Sequence, residues 1–539
     1  MSDIAATTTS GVGHGPALDR KPHIGGVAIF LLVLLAGLCY AAYSVIHDVQ
    51  GAGEPIAIAV FGLLGLALVI ALGFEFVNGF HDTANAVATV IYTRSLPAPI
   101  AVVWSGAFNF IGVMVSTGAV AYGIITLLPV ELILQVGSGA GYAMIFALLI
   151  AAIIWNLGTW ALGIPNSSSH ALVGSIMGVG LANQLMAPVG QATSGVDWSQ
   201  ATKIGEALLF SPLVGFAASA GLLLIMKVLI RNRTLYEAPK KDAPPPWWIR
   251  GILVLTCTGV SFAHGGNDGQ KGMGLIMLIL IGAAPTAYAL NRTMPASSTP
   301  AFIQSIHKAE MVFAAHSTGV ARPSQNDARK IVGDGLRTRK VATPAVFAAL
   351  TSLSVDIETE VRTYGAIRKV PAVATPNLRN DMYLCGDALR LLAKSKTSPM
   401  SKPEAATLKT FQGKLEDGTR FIPTWVKISV ALALGLGTMV GWKRIVVTVG
   451  ERIGKTHLTY AQGASAELVA ALTIGAAELY GLPVSTTHIL SSGVAGTMAA
   501  NGSGLQWSTV RSIASAWVLT LPAAITLAGV IYFILRHLI

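Results

Sequence analysis

Two short motifs recur along this chain, and both carry residues suited to holding an anion, a cation or a proton in apolar surroundings. The first is GFEFVNGFHDTANAVATVI at 73–91, paired with GVSFAHGGNDGQKGMGLIM at 259–277. In register, Gly73 matches Gly259, Phe76 matches Phe262, Gly79 matches Gly265 and Asp82 matches Asp268. The second is GIPNSSSHALVGSIMGVGLA at 163–182, paired with GLPVSTTHILSSGVAGTMAA at 481–500. There Pro165 meets Pro483, Ser167, Ser168 and Ser169 meet Ser485, Thr486 and Thr487, and His170 meets His488. A charge at a helix centre costs about 2.5–3.5 kcal/mol on insertion scales, so Asp82 and Asp268 need a partner or a wet cavity. Capping a helix at the water boundary is the plain alternative, and duplication of the Asp argues against it. Glu75, His81 and Asn85 lie close to Asp82 in sequence.

Glycines at 79 and 265, with Gly266, Gly269, Gly272 and Gly274, predict an unwound backbone that offers N–H groups to anions and carbonyls to cations. Each Pro suits the first turn of a helix or the turn before it. The hydroxyl triplets then form a neutral donor cradle for an oxyanion; N-capping alone needs one hydroxyl. His170 and His488 are either proton-linked switches or hydrogen-bonded core histidines. Lys271, at the position matching Asn85, is a structural ion pair with Asp268, an anion contact, or a built-in cation in place of a bound sodium ion. Glu467 and Glu478 share one helix face, and Glu467 is the better ion or proton site.

The elements that must position these residues are membrane spans. Of 539 residues, 53% are hydrophobic and only 12% charged, against about 25% charged in soluble domains, and the mean hydropathy is +0.62. Apolar runs long enough for a ~30 Å hydrocarbon core predict about ten transmembrane helices. The stretches at 165–183 and 483–500 are short enough to be re-entrant. Charge concentrates at 291–420, which holds 19 Lys+Arg and 11 Asp+Glu. Three dispersed cysteines support neither a disulfide framework nor a zinc site. Gly450–Thr456 has one residue too few between its glycines for a phosphate loop. No catalytic motif is present, so an enzyme is not expected.

The motifs follow each other by 90 residues in the first half and 222 in the second, and the polar insertion accounts for the difference. The expected fold is therefore an all-α polytopic membrane protein of two homologous, inverted repeats, with broken helices, re-entrant hairpins and a soluble insertion. A tail at 1–23 precedes a first transmembrane half at 24–230, and a basic, Pro-rich linker spans 231–248. The second half starts at 249–290, is interrupted by the insertion at 291–420, and resumes at 421–539. Lys227, Arg231, Arg233, Lys240, Lys241, Arg250, Lys443, Arg444, Arg452 and Lys455 predict cytoplasmic connections. The insertion is expected to be cytoplasmic too. Duplicated halves whose helices break at matching places point to a secondary transporter with a mid-membrane site.

GFHDTANA at 79–86, GGNDGQK at 265–271, PNSSSH at 165–170 and PVSTTH at 483–488 resemble the paired signatures of the Pit inorganic phosphate transporters, the bacterial proton-coupled branch above all. The resemblance covers nearly the whole chain. It implies phosphate binding by Asp82, Asn85, Asp268, Ser167–Ser169 and Ser485–Thr487, beside which Lys271 is a candidate anion contact. It also implies a functional glutamate at Glu467. Sodium-coupled relatives carry Asn at the position of Lys271 and at that of His81, so protons are the expected coupling ion, with His81, Glu467, His170 and His488 as candidates. The implied substrate is a neutral complex of hydrogenphosphate with Mg²⁺ or another divalent metal, the transported metal meeting Asp82 and Asp268. No permanently bound cofactor and no nucleic acid are expected. The expected setting is the lipid bilayer of a bacterial inner (plasma) membrane, with a homodimer as a candidate assembly. The rivals are another tetrahedral oxyanion such as sulfate, sodium-coupled phosphate symport, and a phosphate receptor that does not translocate.

Overall fold

The computed structural model describes residues 16, 18, 23–53, 57–125, 127, 139–187, 196–239, 244–395 and 399–538, without the side chains of 83–85. The first half contains α1 (Ile24–Gly51), α2 (Ile58–Tyr92), α3 (Ala98–Val115), α4 (Ala119–Ile125), α5 (Gly139–Ala161), α6 (Ser168–Leu185) and α7 (Trp198–Leu229). Next come α8 (Trp247–Ala283) and α9 (Pro285–Tyr288). The insertion folds as α10 (Thr299–His316), α11 (Gln325–Thr338), α12 (Pro344–Tyr364), α13 (Thr375–Lys394) and α14 (Lys402–Thr419). The chain closes with α15 (Thr424–Gly437), α16 (Lys443–Val447), α17 (Tyr460–Leu479), α18 (Thr486–Asn501) and α19 (Trp507–Leu538).

Among the described residues, six helices are long and apolar enough to cross a membrane: α1, α2, α3, α5, α7 and α19. A seventh is added if α14 and α15, bent by 75° at their junction, are taken as one span. At 37 residues α8 is longer than any of them, but Asn267, Asp268, Gln270 and Lys271 dilute its apolar character. Helices α6 and α18 open on their hydroxyl residues.

The expected unwinding does not occur. Helices α2 and α8 run unbroken through 73–91 and 259–277. The motif glycines serve close packing instead. A Cβ on Gly79 would stand 2.3 Å from the Leu434 carbonyl oxygen of α15, and one on Gly265 would stand 2.1 Å from that of Asn109 in α3. The facing glycines, Gly437 and Gly112, would meet the carbonyl oxygens of Phe76 and Phe262 at 2.2 and 2.1 Å. Helix α2 of the first half is thus clasped by α15 of the second, and α8 of the second by α3 of the first.

The chain does break before α6 and before α18. Gly163 and Gly481 adopt φ of +67° and +64°, which favours glycine. The Ile164 and Leu482 N–H groups then reach back to the Thr159 and Ala477 carbonyls at 3.0 and 2.9 Å, closing the preceding helix in the Schellman manner.

The insertion has a core of its own, filled in part by Leu378, Met382, Cys385, Leu389 and Leu392 at helical spacing on α13. Its two ends come together where the Asn291 N–H donates to the Gly418 carbonyl at 2.8 Å. It touches the membrane-spanning part through Arg339 and Lys394, 3.6 and 3.9 Å from Asp197, and through Arg420 over the Tyr122 ring. Asp48, at the end of α1, accepts from Tyr288 and Trp425 beside it. The basic connections gather at the opposite end. There Arg250 donates to the Ser95 carbonyl, Arg444 to that of Ala161, and Tyr92 to Glu451. Helix α8, about 55 Å long at 1.5 Å per residue, separates the two ends. The insertion and the basic connections therefore lie at opposite ends of the bundle. Lys240 and Lys241 lie outside the described residues.

Two outcomes follow from the packing. Gly265→Ala should destabilise the detergent-solubilised protein by roughly 1–3 kcal/mol through overpacking, whereas Gly251→Ala, which faces open space, should leave thermal unfolding unchanged. Replacing residues 293–416 by a short flexible linker across the closed ends should preserve measurable transport, read as substrate accumulation in cells.

Candidate binding site

Helices α2 and α8 bring Asp82 and Asp268 into the interior of the bundle, where they are 3% and 0% exposed. Tips formed by the α5–α6 and α17–α18 breaks meet them there. Ser167 and Ser485 are the N-caps of α6 and α18, accepting from the N–H groups of His170 and His488 at 3.1 Å. With capping done by the first hydroxyl of each triplet, the others are free for other work.

Asp82 is gripped from both tips. Thr487 donates to its Oδ1 at 2.6 Å and Ser168 donates to its Oδ2. His81 Nδ1 stands 3.1 Å from Oδ1, and its Nε2 lies 3.2 Å from the Thr159 hydroxyl. The Ser168 hydroxyl also lies 2.7 Å from Asn78 Oδ1.

Asp268 is held differently. Lys271 Nζ, fully buried, donates to its Oδ1 at 2.6 Å, to the Ser169 hydroxyl, and to the Val484 carbonyl at 3.4 Å. Ser169 in turn donates to the same carbonyl at 2.8 Å, so one tip touches the other. Asn267 fastens the second tip by donating to the Leu482 carbonyl at 3.1 Å. The ammonium thus uses all three protons and ties α8 to both hairpins. Of the three roles open to Lys271, the structure supports the ion pair with Asp268.

Beside this pair lies His264, whose Nδ1 is 2.9 Å from Asn109 Oδ1. Its Nε2 is 3.6 Å from Asp268 Oδ2, and neither of these buried atoms has a hydrogen-bond partner among the described residues. One ligand atom each from Asp82, His264 and Asp268 falls within 4.8 Å of the others. Buried polar atoms are nearly always paired, so unpaired atoms converging beside two carboxylates mark a place for a cation or a proton donor. Thr486 Oγ1, buried and likewise without a partner, is a hydroxyl still available to an anion.

The remaining candidates fall around this centre. The rings of His170 and His488 lie against each other, tilted by 38° with centroids 4.6 Å apart, and His488 also rests on Trp517. Glu467 accepts from Thr89 on α2 and from Thr256 on α8 at 2.5 Å. Thr89 is seven residues beyond Asp82, about 10 Å along the helix, so Glu467 bridges the same two helices away from the carboxylate pair. The Asn85 side chain lies outside the described residues. Sequence reasoning missed His264, Asn78, Thr159 and Asn267. His264 and Asn78 left the same signal, each four residues before its motif Asp, at matching positions of the repeat and so on the same helix face.

A family model described as the phosphate transporter family matches residues 78–528. The chain belongs to that family. Its members are membrane transport proteins, not enzymes. The chain is 42% identical over 493 residues to the low-affinity inorganic phosphate transporter PitA of Escherichia coli K12, covering 88% of this chain and 96% of that protein. It is 40% identical over 491 residues to PitB of the same organism, with coverage of 88% and 97%. A Buchnera aphidicola low-affinity inorganic phosphate transporter matches at 38% over 508 residues, covering 88% of this chain and 97% of the relative. A solved structure titled as the sodium-dependent phosphate transporter aligns with TM-score 0.50 over 89% of this chain and 100% of its own, at 18% identity, and so shares the fold. This phosphate transporter family member is a multi-pass membrane protein.

Asp82→Asn and Asp268→Asn are each expected to abolish labelled-phosphate uptake while the protein remains inserted, checked by uptake and membrane immunoblot. Lys271→Met, which strands a buried carboxylate, should cost about 3–5 kcal/mol of stability. The double variant Lys271→Met/Asp268→Leu should recover much of that loss in a thermal unfolding assay.

Proposed function

We propose that this protein imports inorganic phosphate across the plasma membrane by proton symport, the phosphate entering as a neutral complex of hydrogenphosphate with a divalent metal. Its relatives are named low-affinity inorganic phosphate transporters, and the same substrate is proposed here. The site suits it chemically. Hydroxyls of the two tips read the oxyanion, while Asp82, Asp268 and His264 meet the metal, a donor set of two oxygens and one nitrogen. A carboxylate can accept a hydrogen bond from HPO₄²⁻ but repels SO₄²⁻, which favours phosphate over sulfate.

Lys271 is the observation that carries the choice of proton over sodium. Its ammonium, 2.6 Å from Asp268, would repel a Na⁺ bound beside that carboxylate. At an effective dielectric of ~20 the repulsion would be about 4 kcal/mol at 4 Å. The equivalent turns at Gly163 and Gly481 and the exchanged glycine clasps support two inverted repeats, which rock around the fixed site to give alternating access. A neutral substrate moving with one proton carries one charge, so the membrane potential contributes about 2.3 kcal/mol per 100 mV.

In proteoliposomes, phosphate accumulation should follow an imposed proton gradient, require Mg²⁺ or another divalent metal, and collapse with a protonophore. Uptake that survives the protonophore but needs inward Na⁺ would sink the proposal, and binding without accumulation would identify a receptor. Lys271→Asn should confer sodium dependence.

Orientation follows from charge. The end bearing Arg94, Lys227, Arg250, Lys443, Arg444, Arg452 and Lys455 faces the cytoplasm by the positive-inside rule, and the insertion then projects from the outer face. A cysteine at the exposed Lys308, in a Cys39→Ser background, should react with an impermeant maleimide in spheroplasts. Reaction only after permeabilisation would reverse the orientation.

A further inference from the structure

We propose that Glu75 carries the coupled proton through the transport cycle, an inference that rests on the proton-symport reading above. Glu75 is fully buried on α2, seven residues and two helical turns before Asp82, on the same face. Its contacts are sparse. Oε2 accepts only from the Asn78 amide at 3.4 Å, and Oε1 has no partner among the described residues. The carboxyl group is pressed against α8. A Cβ on Gly272 would lie 2.3 Å from Glu75 Cγ and 2.5 Å from Oε1, so glycine at 272, next to Lys271, makes room for this side chain.

Other carboxylates in the spanning region contrast with it. Asp82 has two hydroxyl donors, Asp268 has the Lys271 ammonium, Glu467 has two threonines, and Glu478 has the Gln270 amide at 3.0 Å. An ionised carboxylate away from water with one long hydrogen bond is costly, and such a group neutralises instead. Such contacts suit the Glu75 carboxyl to carry a proton.

Its charged neighbours are Asp268 and Lys271 from α8 and Asp82 from its own helix. Helix α3 has no ionisable side chain, α5 offers only Tyr142, and α15 only Lys427, which donates to the Ser116 carbonyl. On α17, Tyr460 and the two glutamates have positions of their own; on α6 and α18 the histidines lie against each other. Lys443 and Arg444 of α16 belong to the basic end of the bundle. Among the described residues Lys271 is thus the one permanently charged cation bearing on Glu75, the imidazoles of His81 and His264 lying beside the two aspartates. When the metal of the substrate takes up Asp268, the ammonium loses that partner and can compensate an ionised Glu75. Substrate movement and proton release become linked through a single lysine. The step is a proton transfer only: an O–H bond forms on Glu75 with a proton from water on the outer side, and breaks with release to water on the inner side.

The site is also unpaired in the repeat. The position matching Glu75 in the second half is Ser261, whose hydroxyl is 2.8 Å from that of Ser105. One carrier for each protein means one proton per cycle.

Glu75→Gln, reconstituted in proteoliposomes, should keep phosphate–phosphate exchange within about threefold of wild type. It should lose at least tenfold in accumulation driven by a proton gradient, with a flattened pH profile. Proton-driven accumulation within twofold of wild type would overturn the assignment, as would equal loss of exchange and accumulation in well-folded protein. Wild type that fails to respond to the proton gradient would instead overturn the symport reading itself. Should Glu75→Gln not fold, Glu75→Asp is the second variant: it should transport with a shifted pH of half-maximal uptake, and an unshifted profile would remove Glu75 from the role.

Discussion

Two carboxylates held inside an apolar bundle must find partners or lose their charge, and that requirement organises this protein. Asp82 takes a hydroxyl from each hairpin tip. Asp268 takes an ammonium whose other two protons reach a tip hydroxyl and a tip carbonyl. Both tips are consequently fixed by the charges they serve. The burial cost of an isolated ion in a low-dielectric interior is several kcal/mol even after relaxation, so loss of any one partner is felt throughout the cluster. The arrangement holds the carboxylates without sealing the site, because Asp268 Oδ2, His264 Nε2 and Thr486 Oγ1 have no hydrogen-bond partner among the described residues.

Such a cluster needs a scaffold that does not give way beneath it. Glycine supplies it by allowing backbone-to-backbone contact. Gly79 and Gly437 let α2 approach α15, and Gly265 and Gly112 let α8 approach α3, with every would-be Cβ under 2.4 Å from a carbonyl oxygen. Close helix approach through small residues is the usual source of packing energy in lipid, where burying apolar surface against apolar tails gains little. The carboxylates sit three residues beyond these crossings, where the helices are held most firmly. Rigid carriers for the charges and short tips for the hydroxyls divide the work.

The insertion stands apart from this. Its five helices bury their own apolar faces, and its two ends meet at Asn291 and Gly418, so the transport unit closes beneath it. It is nevertheless anchored, because Asp197 at the start of α7 faces Arg339 and Lys394. Those pairs are partly exposed and weak individually, suited to docking a domain rather than to holding the bundle together.

Membrane residence, the paired motifs and the residue types that meet at the candidate site were legible in the sequence. Each depends on composition or on a repeated local pattern: low charge, Asp in an apolar run, and Pro followed by hydroxyls at matching spacing. The breaks before Ser168 and Thr486 were legible for the same reason, since glycine with positive φ and proline act within one turn of chain. The role of the motif glycines was not. A glycine run reads equally as unwinding or as close packing, and only the neighbouring helix, distant in sequence, decides between them. The partners of Lys271, 102 and 213 residues away at Ser169 and Val484, were beyond any local pattern, as were the meeting of Thr487 with Asp82 and the grouping of His264 with the two carboxylates. Placement of the insertion opposite the basic connections was likewise decided by the path of α8 through the bundle. Chemistry that resides in a residue's type and its near neighbours is written along the chain; chemistry that requires two distant segments to meet exists only once the helices have packed.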